Sequence, residues 1–188
     1  MILITDSQRL IIDAFFLAVQ EHPDAKHITT KMIAKKAGIS RQNVYKHFRN
    51  LEELIILVHR LIDEPCVEKL KEFRVDKEKD LVKFFAHEVL PLLYEKRDWL
   101  KLLYEKAFDP NWTYYIKAKY QPVLEPYLKK SENKIGFSNE VLFDLIAKQV
   151  LAVIIVWLTS ENPEPASIFE KKFIALLSTP TSVLVMSK

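Results

Sequence analysis

The segment from Thr29 to Phe48 reads TTKMIAKKAGISRQNVYKHF, and its pattern predicts two short helices joined by a tight turn. Thr29 and Thr30 can cap the first helix, because their hydroxyl oxygens can accept hydrogen bonds from the free amides of its first turn. Gly38 fits the end of that helix, where the backbone needs a positive φ that glycine adopts at little cost. Ser40 offers a second cap, so the segment is typical of a helix–turn–helix.

Each of these two helices has one apolar side and one polar side. Ile33 and Ala37 lie four residues apart in the first helix, and Val44 and Phe48 repeat that spacing in the second. Residues four apart share a helix face, so these pairs are predicted to point inward. The outward side of the second helix is then left with hydrogen-bonding side chains, which are Arg41, Gln42, Asn43, Tyr45, Lys46 and His47. Side chains of these types can bond to base edges or to phosphates of a nucleic acid.

The positive charge of the chain is concentrated around this segment. Seven Lys or Arg and no Asp or Glu lie between Lys26 and Arg49. Residues 1–60 carry nine basic and six acidic residues, whereas residues 61–188 carry 19 of each, so the formal net charge of +3 arises in the N-terminal third. This distribution is expected of a domain that contacts a polyanion. A helical hairpin with a solvated basic face is the alternative, and the caps, the glycine and the acid-free window together favour a DNA-binding helix–turn–helix.

The same residues resemble the signature of the TetR-type transcriptional regulators. The resemblance covers residues 5–60 and rests on Ile28-Thr29-Thr30, Ile33-Ala34, Ala37-Gly38-Ile39-Ser40, Val44-Tyr45, His47-Phe48 and Glu52-Glu53-Leu54. The sequence departs from the family pattern at Leu51, where the family usually has a lysine. The resemblance implies an N-terminal three-helix DNA-binding domain followed by a helical domain for effector binding and dimerisation.

Composition also favours an all-α fold. The chain contains only two glycines, whereas a sheet protein with many tight turns would normally need more. Apolar residues recur at helical spacing in segments that predict about nine helices, including the two of the hairpin. The other predicted helices are 7–21, 51–73, one that starts at 77, 97–108, 111–130, 139–159 and 167–177.

Prolines predict irregularities in two of these helices. Pro65 should kink or break the helix 51–73, and Pro122 and Pro126 should bend or end the helix 111–130 early. The physical reason is that a proline removes one helical hydrogen bond and its ring clashes with the carbonyl four residues earlier.

Two domains are predicted. Residues 1–50 form the DNA-binding domain, the helix 51–73 links it to the rest, and residues 51–188 form the effector-binding and dimerisation domain. The helix 139–159 is apolar over more than half of its circumference. A helix of that kind either fills the centre of a domain or forms a subunit interface.

The second helix of the hairpin is predicted to be the recognition helix. Arg41, Gln42 and Asn43 are the candidates for base-edge contacts, since arginine pairs well with guanine, and glutamine or asparagine with adenine. The residues alone do not show which of the three reaches a base. The predicted DNA-binding set as a whole is Thr29, Thr30, Ser40, Arg41, Gln42, Asn43, Tyr45, Lys46 and His47, in which Tyr45, Lys46, His47 and one of the two threonines are candidates for phosphate contacts.

Two further sites are predicted in the C-terminal part. Its many aromatic residues indicate either an ordinary helical core or a mostly apolar effector pocket with a few polar groups. The candidate pocket residues are Phe84, His87, Trp99, Tyr104, Phe108, Trp112 and Tyr115. The resemblance also places a homodimer interface on the last two helices, with candidate residues Phe143, Ala147, Leu151, Ile154, Ile155, Leu158, Phe169 and Phe173.

Together these observations predict a sequence-specific transcription regulator. The resemblance implies a ligand-responsive homodimeric repressor that binds a near-palindromic double-stranded DNA operator and an unidentified small-molecule effector. One alternative is a TetR-like interaction module, or co-regulator, whose C-terminal domain binds a partner protein. Another is a small-molecule binding protein with no DNA role, which would leave the charge asymmetry unexplained.

Several other classes are disfavoured. The five histidines are scattered and no metal-binding or catalytic motif is present, so we expect no enzyme activity, no metal and no cofactor. The single cysteine, Cys66, cannot form an internal disulfide, which indicates a reduced, cytoplasmic protein. No charge-free run reaches the roughly 20 apolar residues that span a bilayer, so no membrane segment is predicted.

Overall fold

A computed structural model describes residues 2–22, 27–73, 80–106, 112–130 and 136–179. All regular structure in these ranges is helical, which confirms the predicted all-α fold. The helices are α1 (Asp6–Glu21), α2 (Thr30–Ala37), α3 (Arg41–His47), α4 (Leu51–Glu72), α5 (Leu81–Phe84), a π-helical segment (Phe85–Val89), α6 (Leu90–Glu95), α7 (Arg97–Lys106), α8 (Trp112–Lys130), α9 (Asn139–Thr159) and α10 (Ala166–Ser178). Because α5, the π-helical segment and α6 follow one another directly, the described ranges hold nine helical stretches. Positions 77, 108 and 111, where predicted helices start or end, lie outside those ranges.

Two compact units divide the chain, Met1–Glu64 and Pro65–Lys188. The division falls within α4, which therefore contributes to both units. Leu54 and Val58, in the first part of α4, are fully buried. The N-terminal unit thus extends beyond residues 1–50, the range predicted for the DNA-binding domain, and takes in the first part of the helix predicted as a link.

The helices with internal prolines continue through them. The sequence predicts a break in α4 near Pro65, yet α4 runs on to Glu72. It also predicts an early end of α8 at Pro122 or Pro126, yet α8 runs on to Lys130. The predicted break and early end are therefore wrong, whereas the kink in α4 and the bend in α8, which the sequence predicts as the other outcomes, stay predictions. Each proline removes one backbone hydrogen bond, and the bonds on either side of it keep the helix intact.

The N-terminal unit is built on α1, which packs against α2 and α3. α1 starts with a capping box, in which the Gln8 amide donates to Thr5 Oγ1 (3.2 Å) and the Thr5 amide donates to Gln8 Oε1 (3.0 Å). Phe15 is fully buried, and its ring centroid lies 5.1 Å from that of Phe16. The core of the unit also contains Ile11, Ile12, Val19, Ile28, Ile33, Val44, Phe48, Leu54 and Val58. This core fixes α2 and α3 against α1.

A wider turn lies in the middle of the helical run from α5 to α6. Asp80 caps this run by accepting hydrogen bonds from two amides of the first turn. The segment Phe85–Val89 is π-helical, and the Leu90 amide donates to the Phe85 carbonyl, five residues earlier. In a regular α-helix, Pro91 would have no amide hydrogen to donate to the His87 carbonyl, and its ring would clash with that carbonyl. A wider turn just before the proline relieves the clash.

Aromatic rings join the helices of the C-terminal unit. α7 and α8 pack against α9, and α10 packs against α9, α6 and the π-helical segment. The Trp157 ring stacks on Phe169 at 4.3 Å and on Tyr94 at 5.7 Å. Phe85 stacks on Phe173 at 5.5 Å. These stacks tie α9 and α10 to the run from α5 to α6.

α9 is apolar on most of its surface. Glu140 and Asp144 near its start pair with Lys117 of α8 at 2.8 and 3.4 Å. By length and composition alone, α9 is able to cross a membrane, and it is the one helix within the described ranges that meets this test. α9 meets this test although its charge-free run, Gln149–Ser160, is only 12 residues long, because its few charges lie in its first three turns. A single helix of this kind is weak evidence for a membrane protein, since interior helices of other proteins also pass.

Candidate nucleic-acid interface

Two capping hydrogen bonds and one glycine turn stabilise the helix–turn–helix. Thr29 caps α2, its Oγ1 accepting from the Met32 amide at 3.3 Å. Gly38 ends α2 in the left-handed region, at φ 66°. Ser40 caps α3, its Oγ accepting from the Asn43 amide at 3.2 Å. These are the caps and the glycine turn that the sequence predicts.

α3 separates a buried side from a polar side. Val44 and Phe48 are 2% and 3% exposed. The exposed side chains of the predicted DNA-binding set are Thr29, Ser40, Arg41, Gln42, Asn43, Tyr45 and Lys46, whereas Thr30 and His47 are half-buried. The fold thus places all nine residues on α3 or at the starts of α2 and α3. Their contact with DNA stays a prediction.

Tyr45 has two polar side chains nearby. Arg41 lies one turn earlier in α3, and Thr30 is the first residue of α2. Hydrogen bonds to the phenolic oxygen favour its ionised form, so Arg41 first and Thr30 second hold the pKa of Tyr45 below its usual value. Tyr45 is 45% exposed, so part of the residue remains accessible from solvent.

The start of α4 is capped beside the recognition helix. Asn50 Oδ1 accepts from the Glu53 amide at 2.8 Å, and Glu53 Oε2 accepts from the Arg49 amide at 2.6 Å. The Arg49 amide, followed by its guanidinium, holds the pKa of the Glu53 carboxyl below its usual range. This arrangement caps the helix without a lysine at position 51, where Leu51 departs from the family pattern.

Basic side chains lie on α2 and just after α3. Lys31 and Lys35 on α2 are exposed, and Lys36 pairs with Glu21 of α1. Arg49 lies 3.4 Å from Glu53, and its side chain is 88% exposed. The exposed cations on α2 and α3 give this part of the unit the electrostatic character of a phosphate-binding surface.

The candidate pocket residues have different neighbours. Phe84 packs edge-on against Phe73 at 5.2 Å. The His87 side chain is 73% exposed, and its Nδ1 lies 3.6 Å from Glu170 Oε1 on α10. Among the other candidates, the Trp99 ring lies under the Lys96 ammonium group, and the Tyr115 ring lies under the Lys119 ammonium group. Tyr104 is half-buried. Phe108 and the side chain of Trp112 lie outside the described part of the chain. The effector pocket stays a prediction.

Most of the candidate dimer residues serve the chain's own core. Phe143, Ile154, Leu158, Phe169 and Phe173 are buried within the chain, and Ala147, Leu151 and Ile155 are half-buried. A side chain already covered by its own subunit has little area left to offer a partner.

Other apolar side chains of α9 and α10 are exposed. They are Val141, Leu145, Ile146, Val156, Ile168 and Leu176. Val141, Leu145, Ala152 and Val156 follow one another at intervals of four, seven and four residues, which places them on one stripe of α9. The sequence contains this spacing. Because the helix is apolar on most sides, however, no local feature of the sequence indicates which of its stripes stays exposed to solvent.

A helix–turn–helix with an exposed polar second helix and basic residues on either side of it in the sequence defines a class, the DNA-binding proteins of this motif. Residues 26–58 match the family described as bacterial regulatory proteins, tetR family. This segment contains α2, α3 and the first part of α4, so the match coincides with the motif. It confirms the TetR-type helix–turn–helix, and the chain is a DNA-binding transcription regulator.

A solved structure resembles most of the chain. It is that of a protein named "Dihydroxyacetone kinase operon activator DhaS", and the similarity has a TM-score of 0.54 over 92% of this chain and 95% of that chain, at 19% sequence identity. At this identity the likeness concerns the fold. No curated protein sequence matches the chain.

Proposed function

We propose that the protein is a cytoplasmic, homodimeric regulator that binds a near-palindromic DNA operator and responds to a small-molecule effector. The observation that carries operator binding is the exposed polar side of α3, fixed by Gly38 and by the Ser40 cap within a sequence segment, Lys26–Arg49, that holds seven basic and no acidic residues. A short rigid helix of this kind fits the major groove, where base edges are distinguishable.

The exposed apolar stripe on α9 supports dimerisation. Val156 is 73% exposed and Leu145 is 50% exposed, and both lie on the same side of the helix. Exposed apolar stripes of this length are unfavourable in water and are typical of subunit interfaces. A second copy of the chain, packed along α9 and α10, would cover them and would provide the second recognition helix that a palindromic site requires.

Repression is the proposed sign of regulation, and a small molecule is the proposed effector. The TetR resemblance favours a repressor, whereas the protein of the similar solved structure is named as an activator. The effector site is proposed among the half-buried aromatic residues of the C-terminal unit, Phe84, Trp99, Tyr104 and Tyr115. A transcription assay with the operator placed before a reporter, with and without the protein, decides between repression and activation.

The first experiment is the selection of bound sequences from random duplex DNA at two salt concentrations. We expect an enriched inverted repeat whose affinity falls steeply with salt, because several phosphate contacts release counterions. A variant with Gln42 and Asn43 both changed to alanine serves as the control and should lose the enrichment. If the unmodified protein enriches no sequence, the operator-binding proposal fails, and a co-regulator that binds a partner protein becomes the better explanation.

A further inference from the structure

The exposed apolar stripe of α9 has the same spacing when it is read from either end. Its residues, separated by four, seven and four positions, are Val141, Leu145, Ala152 and Val156, and all four are exposed. The stripe is therefore symmetric about the point between Lys148 and Gln149. A two-fold interface requires this property, because the same patch on both subunits must fit its own copy.

An antiparallel arrangement of two copies of α9 uses this symmetry. Val141 then lies opposite Val156 of the partner subunit, and Leu145 lies opposite Ala152 of the partner subunit. A large side chain thus meets a small one on both sides of the centre, which lets the two helices pack closely. A parallel arrangement would place leucine against leucine and alanine against alanine, and the small alanines would leave a gap.

The centre of the stripe is polar. At 3.6 residues per turn, Lys148 and Gln149 point about 50° to either side of the middle of the stripe, and both are exposed. In an antiparallel pair each of them therefore lies on one flank of the interface, beside its own counterpart. Asp144, one turn before Lys148, is paired with Lys117 of α8 at 3.4 Å. Within the described ranges Lys148 itself makes no ion pair, so its charge is not neutralised there by its own chain.

We propose that the two-fold axis of the homodimer passes between Lys148 and Gln149 of α9. The two Lys148 ammonium groups then meet on one flank of the axis, and the two Gln149 amides meet on the other. This inference rests on the proposed homodimer and adds which residues lie at its centre. The lysine pair opposes association, whereas the glutamine amides can donate to and accept from each other, which favours this register over shifted ones.

A subunit-mixing experiment tests the position of the axis. Lys148→Glu gives a homodimer with two like charges at the axis, as in the unmodified protein, whereas a mixed dimer places a lysine opposite a glutamate. The two proteins are co-expressed with tags of different mass, and the dimers are counted by native mass spectrometry. We expect mixed dimers to exceed the proportion for random pairing, with an equilibrium constant about tenfold above the random value at low salt. This preference should decrease as salt screens the charges.

Lys119→Glu is the matched control. Lys119 is an exposed lysine of α8, so the variant makes the same change of charge away from the proposed axis. Its subunits should pair at random with unmodified subunits. A preference of equal size for the Lys119 variant would show that net charge, and not contact at the axis, determines the pairing, and it would overturn the inference.

A second pair of variants examines the other flank. Gln149→Lys mixed with Gln149→Glu should also favour mixed dimers, and this pair replaces the first if circular dichroism shows that Lys148→Glu is not folded. Random pairing at either position in a dimeric protein would overturn the proposed axis and leave the homodimer itself standing. An unmodified protein that sediments as a monomer would instead contradict the homodimer, so the two failures are distinguishable.

Discussion

At the scale of single residues, Gly38 sets the path of the chain between α2 and α3. Its φ of 66° lies in the left-handed region, and a Cβ at this position would meet no atom within 4 Å. The cost of a side chain here is therefore one of backbone conformation alone. We expect Gly38→Ala to lower the free energy of unfolding by about 1 kcal/mol, measured by urea denaturation. Gly38→Asn is the control and should cost less, because asparagine adopts the left-handed region more readily. An alanine variant at least as stable as the asparagine variant would contradict this explanation.

Glu53 makes the cap of α4 sensitive to pH. Its pKa is lowered because the carboxylate accepts from the Arg49 amide and lies beside the Arg49 guanidinium. A carboxyl group with a lowered pKa in the folded state stabilises the fold above its unfolded-state pKa, and this contribution is lost as the pH falls through the folded-state value. We therefore expect the unmodified protein to melt at a higher temperature than Glu53→Gln at neutral pH, and the difference to vanish in acid.

The control for this prediction is Glu52→Gln, in the same first turn of α4. It tests whether any carboxylate near a helix start gives the same result through the helix dipole. A pH dependence of equal size in both variants would show that the Glu53 hydrogen bonds are not the cause.

At the scale of elements, Trp157 fixes the connection between α9 and α10. Its Nε1 donates to the Glu164 carbonyl at 2.9 Å, and its ring stacks on Phe169 at 4.3 Å. The Tyr94 hydroxyl donates to the neighbouring Pro163 carbonyl at 3.3 Å. Trp157→Phe keeps an aromatic ring but leaves the Glu164 carbonyl without this donor, so we expect a loss of about 1–3 kcal/mol in the free energy of unfolding.

Thermal and urea unfolding, followed by circular dichroism, measure this loss. Trp99→Phe is the matched control, since it makes the same change of side chain at a half-buried position of another helix, α7. Equal losses in the two variants would mean that ring size, and not the hydrogen bond to the connection, determines the result.

At the scale of the whole molecule, the exposed apolar stripe of α9 is the main feature that the packing of a single chain does not explain. If a second copy covers it, a charge placed there should prevent association, because a buried unpaired carboxylate is strongly unfavourable. We expect Leu145→Glu together with Val156→Glu to convert a dimer into a folded monomer in sedimentation experiments. The monomer should also bind an inverted repeat far more weakly, since each half-site then acts alone.

Leu17→Glu is the matched control for this experiment. Leu17 is an exposed leucine of α1, 48% exposed, and belongs to the N-terminal unit. Its variant should remain dimeric. A protein that is monomeric without any substitution, or a dimer that survives both charges on α9, would rule out the proposed interface.

Much of the candidate DNA-binding site was predictable because its determinants are local. The Thr29 and Ser40 caps, the positive φ of Gly38 and the four-residue spacing of Val44 and Phe48 act within one or two turns of helix. Sequence neighbours therefore contain the whole physical cause of the helix–turn–helix. The same locality explains why the exposed residues of α3 could be predicted before the fold was known.

The sequence by itself determined the class of fold, the helix–turn–helix and the sign and place of its charge. Only the tertiary structure decided which residues of the mostly apolar helix α9 are covered, leaving Val156 exposed while Phe143 is buried. Only the packing of α2 against α3 brought Thr30 close to Tyr45. The physical reason is the same in both cases: burial and side-chain contacts between helices depend on neighbours distant in sequence, whereas capping, glycine turns and helix periodicity do not.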